Sequence, residues 1–341
     1  MATHELPPQA ALFGLITGYH VSCAVHVAAK LGIADHLAGG PRHYADLAGA
    51  TRTHASSLRR VLRLLVSAGV LTEDEQERFD LTPVGACLRS DATDSMRAAA
   101  LLWGGRPQLA WMRLLQCVQT GKPAFARVFG SDPFSHMTEH HEDADIFDRG
   151  MAALTQHTAT AVAAAYDFSQ FGEIVDVGGG NGALLAGILA AHQTVRGVLF
   201  DMPHVAERAA RQFADQGLGD RIRVEGGSFL DAVPRGADAY LLSNVITDWD
   251  DERATTILGH CRDALSPGGK VLILEALYPA RIDASAASRA AVSTDVNVMV
   301  CAGGRERSEE EFRALYDAVG LRLTRSVPTS SRVCVIEGVR P

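Results

Sequence analysis

The chain has 341 residues, 47% of them hydrophobic and 21% charged, with a formal net charge of -8. That length allows two domains with real cores, that composition excludes fibrous and disordered classes, and the acidic balance argues against a dedicated nucleic-acid binder, because duplex binding draws on phosphate neutralisation by Lys and Arg. Residues 1–11 lack the basic start of a secretory signal and no uninterrupted apolar run approaches the length of a bilayer span, so a soluble, cytoplasmic protein with no membrane partner is expected.

From Leu12 to Leu37 the sequence is apolar with a helical period, and small residues such as Gly14, Gly18, Ala24 and Ala28 permit close helix contact. A helix this apolar calls for a partner. Tyr44 to Gly49, a turn, and the strong helix Ser56 to Ala68 follow, with Leu58, Val61, Leu62 and Leu65 on one face. Gly69 ends that helix, and Val70-Leu-Thr and Arg78-Phe-Asp-Leu-Thr82 read as two short strands. Helix, turn, helix and hairpin make a winged-helix pattern. Arg52, Arg59, Arg60 and Arg63 give the second helix a basic side, which raises a transcription regulator as a rival reading. The plainer reading pairs these arginines with acids of the same domain or of a partner subunit.

Residues 93–165 read as mostly helical, punctuated by Trp103, Trp111, Phe125, Phe129, Phe134, Phe147 and Met151, with a turn at Gly121-Lys-Pro-Ala-Phe. The four-residue spacing of His136 and His140 would suit metal ligands on one helix face. Without a placed third ligand the stretch is expected to be a solvated, charged helix, and no metal is expected. The six cysteines, Cys23, Cys87, Cys117, Cys261, Cys301 and Cys334, include no C-x-x-C pair and read as buried thiols.

After Tyr166 strands alternate with helices. Glu173–Val177, Gly197–Phe200, Ile222–Glu225, Ala239–Leu242 and Lys270–Leu274 are the apolar runs, and the stretches between them suit right-handed crossovers. A parallel sheet covered on both faces is expected. Leu321–Val327 and Arg332–Glu337 are joined by a link too short for a crossover, so they should form an antiparallel hairpin.

The first of these strands runs into Asp176-Val-Gly178-Gly-Gly180-Asn-Gly182, where glycines let a ligand approach the backbone before the helix Ala183 to Ala191. The second ends at Asp201, 23 residues after Gly178, where a carboxylate can accept two hydrogen bonds from ribose hydroxyls. A dinucleotide would use a similar loop, but Gly178, Gly180 and Gly182 depart from the usual G-x-G-x-x-G spacing. The acid Asp176 at the strand end suits a cationic, phosphate-free ligand better than a pyrophosphate. S-adenosylmethionine, with its ammonium and sulfonium groups, is therefore favoured over NAD.

With VDVGGGNG at 175–182, FDMP at 200–203, GGSFLDAVP at 226–234, SNVITDWDDE at 243–252, LSPGGKVLILE at 265–275 and GGRERSEEEF at 303–312, the chain resembles the S-adenosylmethionine-dependent small-molecule O-methyltransferases of the plant caffeate and bacterial polyketide type. The resemblance covers nearly the whole chain and the motifs are highly specific as a set. It implies an α/β fold: a Rossmann-like, mostly parallel sheet with a C-terminal antiparallel hairpin (166–341), preceded by a mainly helical winged-helix dimerisation domain (1–92) and a helical linker (93–165) that adds to the acceptor pocket. A homodimer follows from the same resemblance. Carried over by motif, Gly178 would contact the methionine part of the cofactor, beside Asp176 and Gly180. Asp201 would contact the ribose, Met202 the adenine face, Ser228 and Phe229 the adenine edge and ring, and Ser243 the methionine end. Thr155, four residues after Met151, falls at another cofactor-contact position. Relatives often carry Asp where Ser228 stands and Lys where Ser243 stands, which weakens those individual bonds.

In the resembling family the residue before the D-W pair is commonly a histidine, the general base that takes the phenolic proton, and here it is Thr247, a poor proton acceptor. The acids that orient such a histidine correspond to Glu275 and Glu306, and both remain. Three explanations follow, in order of preference. The acceptor is acidic enough that catalysis is positioning alone; Asp248, Glu306 or a histidine such as His157 acts as base; or the pocket serves another reaction. Trp249 and Asp250 to Glu252 read as the cap and first turn of the next helix. The acceptor pocket is expected to be lined by Trp103, Trp111, Phe147, Met151, Asn297 and Cys301, implying a flat phenolic or polyketide-like substrate. The expected function is methyl transfer from S-adenosylmethionine to an oxygen of a secondary metabolite, without a metal. C- or N-methylation or a repurposed hydroxylase or cyclase is the in-class alternative. A winged-helix regulator that senses S-adenosylmethionine is the out-of-class one.

Overall fold

The strands are β1 (Arg42–His43), β2 (Leu71–Glu73), β3 (Arg78–Leu81), β4 (Glu173–Val177), β5 (Arg196–Asp201), β6 (Ile222–Gly226), β7 (Ala239–Ser243), β8 (Lys270–Glu275), β9 (Arg322–Pro328) and β10 (Cys334–Val339). They come from a computed structural model that describes residues 7–215 and 218–341. The chain divides into two compact units. One runs up to Leu109 and includes Asp145–Ala153; the other holds Ala110–Ala144 and Leu154–Pro341.

In the first unit the apolar amino-terminal stretch is three helices, Pro8–Thr17, Tyr19–Leu31 and Ile33–His36, rather than one. The second break is at Gly32, whose φ of 65° is a left-handed cap that a side chain would resist. Helices Tyr44–Thr51 and Ala55–Ser67 follow, and β1, β3 and β2 form a small antiparallel sheet in that order. β1 was not expected, because a two-residue strand carries no periodicity. Leu58, Leu62 and Leu65 bury one face of Ala55–Ser67 against Leu37, Leu47 and Phe79, as the helical spacing dictates. Arg63 pairs with Glu73, and Arg59 pairs with Glu77 while its guanidinium lies over the Tyr44 ring. These two arginines of the basic side are therefore matched inside the domain.

Taken as one stretch, Pro8–Leu31 is long and apolar enough to cross a membrane by length and composition alone, although polar residues interrupt it. The expectation that the cysteines are buried fails in part. Cys23 and Cys87 are exposed, whereas Cys117 and Cys261 are buried. Sequence spacing does not reveal which helix face a thiol occupies.

In the second unit seven strands are ordered β6-β5-β4-β7-β8-β10-β9. β4 to β8 pair in parallel with one another, and β10 is antiparallel to both β8 and β9. Strand residues alternate between two cores. Val175, Val177, Tyr240, Leu242, Val271 and Ile273 join Ile257, Leu258 and Phe312 on one face. Ile174, Leu241, Leu272 and Leu274 join Leu185, Ile188 and Leu189 on the other. The near-continuous apolar strands follow from burial on both faces. At the hairpin edge Glu337 is buried and accepts hydrogen bonds from Tyr166, Thr324, Lys270 and Arg325.

The reading of the histidine-rich stretch as a solvated helix is wrong for His136. It is 4% exposed, stacks on His140 with ring centroids 3.8 Å apart, and bonds to Asp143 through Nε2. His140 sits at the junction between helices Pro133–Glu139 and His141–Ala165, so the rings stack instead of lining one continuous face. Phe125 and Phe129 provide the apolar surround.

Candidate active site

The carboxyl ends of β4, β5 and β7 bring most of the expected cofactor residues together within the second unit. After β4 the backbone turns at Gly178, where φ is 69° and a Cβ would stand 2.9 Å from Val245 Cγ2. Only glycine meets both demands. Gly178 N–H donates to Phe200 O, and Gly180 N–H donates to Asp201 Oδ2 at 2.8 Å, while Met202 N–H donates to Asp201 Oδ1. Asp201 thus shapes the loop that the sequence expected it to accompany.

Ser228 Oγ accepts from Leu230 N–H, and Phe229 lies against Trp249 with ring centroids 5.9 Å apart. Ser243 ends β7. Asn244 follows with a left-handed φ of 52°, a conformation costly for most side chains and tolerated best by Gly, Asn and Asp, and it redirects the chain into the single turn Ile246–Asp248. Thr155 is partly buried on helix His141–Ala165.

Asp176 is 1% exposed and neither of its oxygens has a hydrogen-bond partner. Burial first, then the charge of Asp201, pushes its pKa up to about 7. A buried, unpartnered carboxyl beside a glycine loop is the donor set that a cationic cofactor would satisfy, and that orphan is the observation on which S-adenosylmethionine fits. No cluster able to hold a metal ion occurs among the described residues.

Thr247 is buried and held on three sides. Its N–H donates to Glu275 Oε1 at 3.0 Å, its hydroxyl donates to Arg305 O at 3.3 Å, and its carbonyl accepts from Arg305 N–H at 2.9 Å. Glu275 Oε2 is buried without a partner. Burial, outweighing the Thr247 hydrogen bond, lifts the Glu275 carboxyl to about 8, and the charges of Glu306 and Asp248 add to it. Asp248, partly buried, is lifted to about 7 by burial and by Glu306. Burial also raises Glu306, against the pull of Arg332. The strand end therefore presents three carboxyls whose pKa values burial raises, in place of an imidazole at residue 247.

Asp250 caps helix Asp251–Ala264 by accepting from Arg253 N–H, and Asp251 and Glu252 occupy its first turn, as expected. Trp249 is stacked on Phe134 at 5.4 Å and lies under the Arg253 guanidinium. Of the expected pocket residues, Trp111, Asn297 and Cys301 come together: Trp111 Nε1 donates to Asn297 Oδ1 at 2.9 Å, and Cys301 Sγ lies 3.7 Å from the same oxygen. Trp103, Phe147 and Met151 belong to the other unit. Sequence reasoning missed Arg307, a wholly buried cation that bonds the backbone around Thr247. Apart from Arg305 O, its partners lie 56 to 61 residues earlier in the chain, so no local signal exposes it.

A family model described as the O-methyltransferase domain matches residues 111–322, and one described as the O-methyltransferase dimerisation domain matches residues 13–91. The chain belongs to the O-methyltransferase family. It is 41% identical to the phenazine O-methyltransferase PhzM of Lysobacter antibioticus, over 97% of this chain and 96% of that one. A crystal structure of NcsB1, an O-methyltransferase from neocarzinostatin biosynthesis in complex with S-adenosylmethionine and 2-hydroxy-5-methyl naphthoic acid, matches with a TM-score of 0.85 and 36% identity. The match spans 94% of this chain and 96% of that one. The chain is also 38% identical, over 88% of its length and 81% of the relative's, to the aclacinomycin 10-hydroxylase RdmB of Streptomyces purpurascens. The methyltransferase is thus a two-part protein of this family, with a sheet domain of the S-adenosylmethionine-dependent type and a dimerisation domain.

Proposed function

We propose that this homodimeric methyltransferase moves the methyl group of S-adenosylmethionine to a hydroxyl of a fused-ring aromatic acceptor, by positioning and without a histidine base. The observation that carries this reading is the fixed Thr247. Its hydroxyl proton is directed at Arg305 O, so the side chain is not arranged to take a proton from an acceptor. The acceptor class is inferred from the phenazine and naphthoic acid named for PhzM and NcsB1, and from Trp111, Asn297 and Cys301 beside one another.

The cofactor supplies an electrophilic methyl: the acceptor oxygen forms its bond to that carbon as the carbon–sulfur bond breaks, the electron pair stays on sulfur, and S-adenosylhomocysteine leaves. Gly178, Gly180, Met202, Ser228, Phe229, Ser243 and Thr155 form the cradle. Asp201 takes the ribose, and Asp176 supplies the negative charge beside the methionine cation. Trp111, Asn297 and Cys301 receive the acceptor. Asp248, Glu275 and Glu306 surround its reacting edge, and the phenolic proton leaves to water or to Asp248. Losing a base costs roughly 10²- to 10⁴-fold, whereas alignment supplies effective molarities on the order of 10⁵ M or more. An acidic phenol therefore needs no base at residue 247.

RdmB, a hydroxylase by name, makes loss of transfer the second reading, favoured by the same threonine. Methyl-labelled S-adenosylmethionine incubated with the protein and a panel of hydroxyphenazines and hydroxynaphthoic acids separates the two. Label in an O-methyl product supports transfer. Cofactor binding with no label in any acceptor supports the repurposed pocket.

A further inference from the structure

Arg307 lies in Gly303-Gly-Arg-Glu-Arg307, a run whose charge suggests an exposed lead-in to helix Glu309–Ala318. Its side chain is 0% exposed, and apart from a long bond to Arg305 O at 3.4 Å its guanidinium is committed to one stretch of chain. Nη1 donates to Ile246 O at 2.9 Å. Nη2 donates to Trp249 O and to Asp251 Oδ1, each at 2.8 Å, and Nε donates to Asp251 Oδ1 at 3.1 Å. The Arg307 backbone is fixed as well, by a parallel bridge to Leu277 and by Tyr278 N–H donating to its carbonyl at 2.9 Å. Gly304 lies flush on the same stretch: a Cβ there would stand 2.0 Å from Thr247 O and 2.4 Å from Asp248 C. One buried cation therefore ties the carbonyls on either side of Thr247 and Asp248, and the first turn of the next helix, to the chain beyond β8.

We propose that Arg307 is a positioning residue for methyl transfer, holding the turn from Ile246 to Asp251 so that Thr247 and Asp248 meet the acceptor at a fixed distance. This rests on the positioning reading given above and deepens it. A planar guanidinium serves carbonyls and a carboxylate at once; a lysine ammonium, a point charge on a flexible stem, cannot bridge the same set. Where no base contributes at residue 247, the rate depends on in-line geometry, and a displacement of about 1 Å costs on the order of 100-fold. Burial raises the Glu275 and Glu306 carboxyls, and the Arg307 charge is among those that oppose the rise.

The test compares wild type with Arg307→Lys, using the hydroxyphenazine or hydroxynaphthoic acid that wild type methylates best, with S-adenosylhomocysteine binding by calorimetry as the count of folded sites. The expected result is a kcat per binding site lowered roughly 10- to 100-fold, with cofactor affinity and acceptor KM within about threefold of wild type. A purely structural role predicts fewer binding sites, each with wild-type kcat, and that outcome overturns the proposal. If Arg307→Lys fails to fold, Asp251→Asn decides, since it leaves Arg307 in place and removes the charge of its exposed partner: kcat about fivefold lower at unchanged cofactor affinity supports the proposal, and an unchanged kcat overturns it. Wild type that binds S-adenosylhomocysteine yet methylates no acceptor defeats the positioning reading and this inference together. Active wild type with equally active variants defeats the inference alone.

Discussion

Thr247 and Arg305 are joined twice, the threonine carbonyl accepting from the arginine N–H at 2.9 Å and its hydroxyl donating to the arginine carbonyl at 3.3 Å. The hydroxyl is therefore a structural tie. Thr247→Val should cost about 1 kcal/mol of stability, the worth of one lost hydrogen bond, and lower kcat less than tenfold, well short of the roughly 100-fold minimum expected for a lost base. Thermal melts and steady-state kinetics on the two proteins check this.

Thr247→His returns an imidazole beside Glu275, whose Oε2 lacks a partner. For acceptors whose hydroxyl is not ionised at the assay pH, kcat/KM should rise about 10-fold or more. An acid limb near the imidazole range, absent from wild type, should appear in the pH profile. Unchanged rates with every acceptor would mean that Glu275 no longer orients a base.

Stability should depend on pH in two opposite ways. Asp248 and Glu275, raised to about 7 and about 8 chiefly by burial, bind protons more tightly folded than unfolded. Their contribution is whole below the ordinary carboxyl range and is lost as pH rises to about 8. Burial alone would raise Glu337, but hydrogen bonds from Thr324, Tyr166, Lys270 and Arg325 outweigh it and hold the group at about 2. Its contribution is present above the ordinary range and lost as pH falls toward 2. Melting temperatures should thus peak on the mildly acidic side. Asp248→Asn should flatten the alkaline decline, and Glu337→Gln the acid one.

Asp201 accepts from both Gly180 and Met202 and is the expected ribose partner. Asp201→Ala should weaken S-adenosylhomocysteine binding roughly 10- to 100-fold, the worth of charge-assisted hydrogen bonds, measured by calorimetry. Affinity within twofold would remove Asp201 from the cradle.

Phe13, Leu15, Ile16 and Tyr19 are exposed on the first two helices, within the stretch matched as a dimerisation domain. Apolar surface of this kind marks an interface. Sedimentation should show wild type as a dimer and Phe13→Asp/Ile16→Asp as a monomer. A variant that still sediments as a dimer would place the interface elsewhere.

Much of the sheet was legible because its signal is local. Glu173–Val177 and Ala183–Ala191 have the bounds their apolar runs suggested, and the short 328–331 link specified an antiparallel hairpin. The glycine loop and Asp201 were legible for the same reason. What escaped depended on contacts distant in sequence: the burial of Arg307 by carbonyls of Ile246 and Trp249, and the stacking of His136 on His140 across a helix junction. Charge in a sequence reads as exposure until a partner is placed.

The most direct test of transfer without a base at residue 247 is the dependence of wild-type kcat on pH with a series of acceptors whose hydroxyl pKa values differ. The account predicts that each profile follows the ionisation of its own acceptor, with the same dependence in Thr247→Val. A single acid limb, fixed whatever the acceptor and abolished in Thr247→Val, would show that residue 247 takes part in proton removal and would contradict the account.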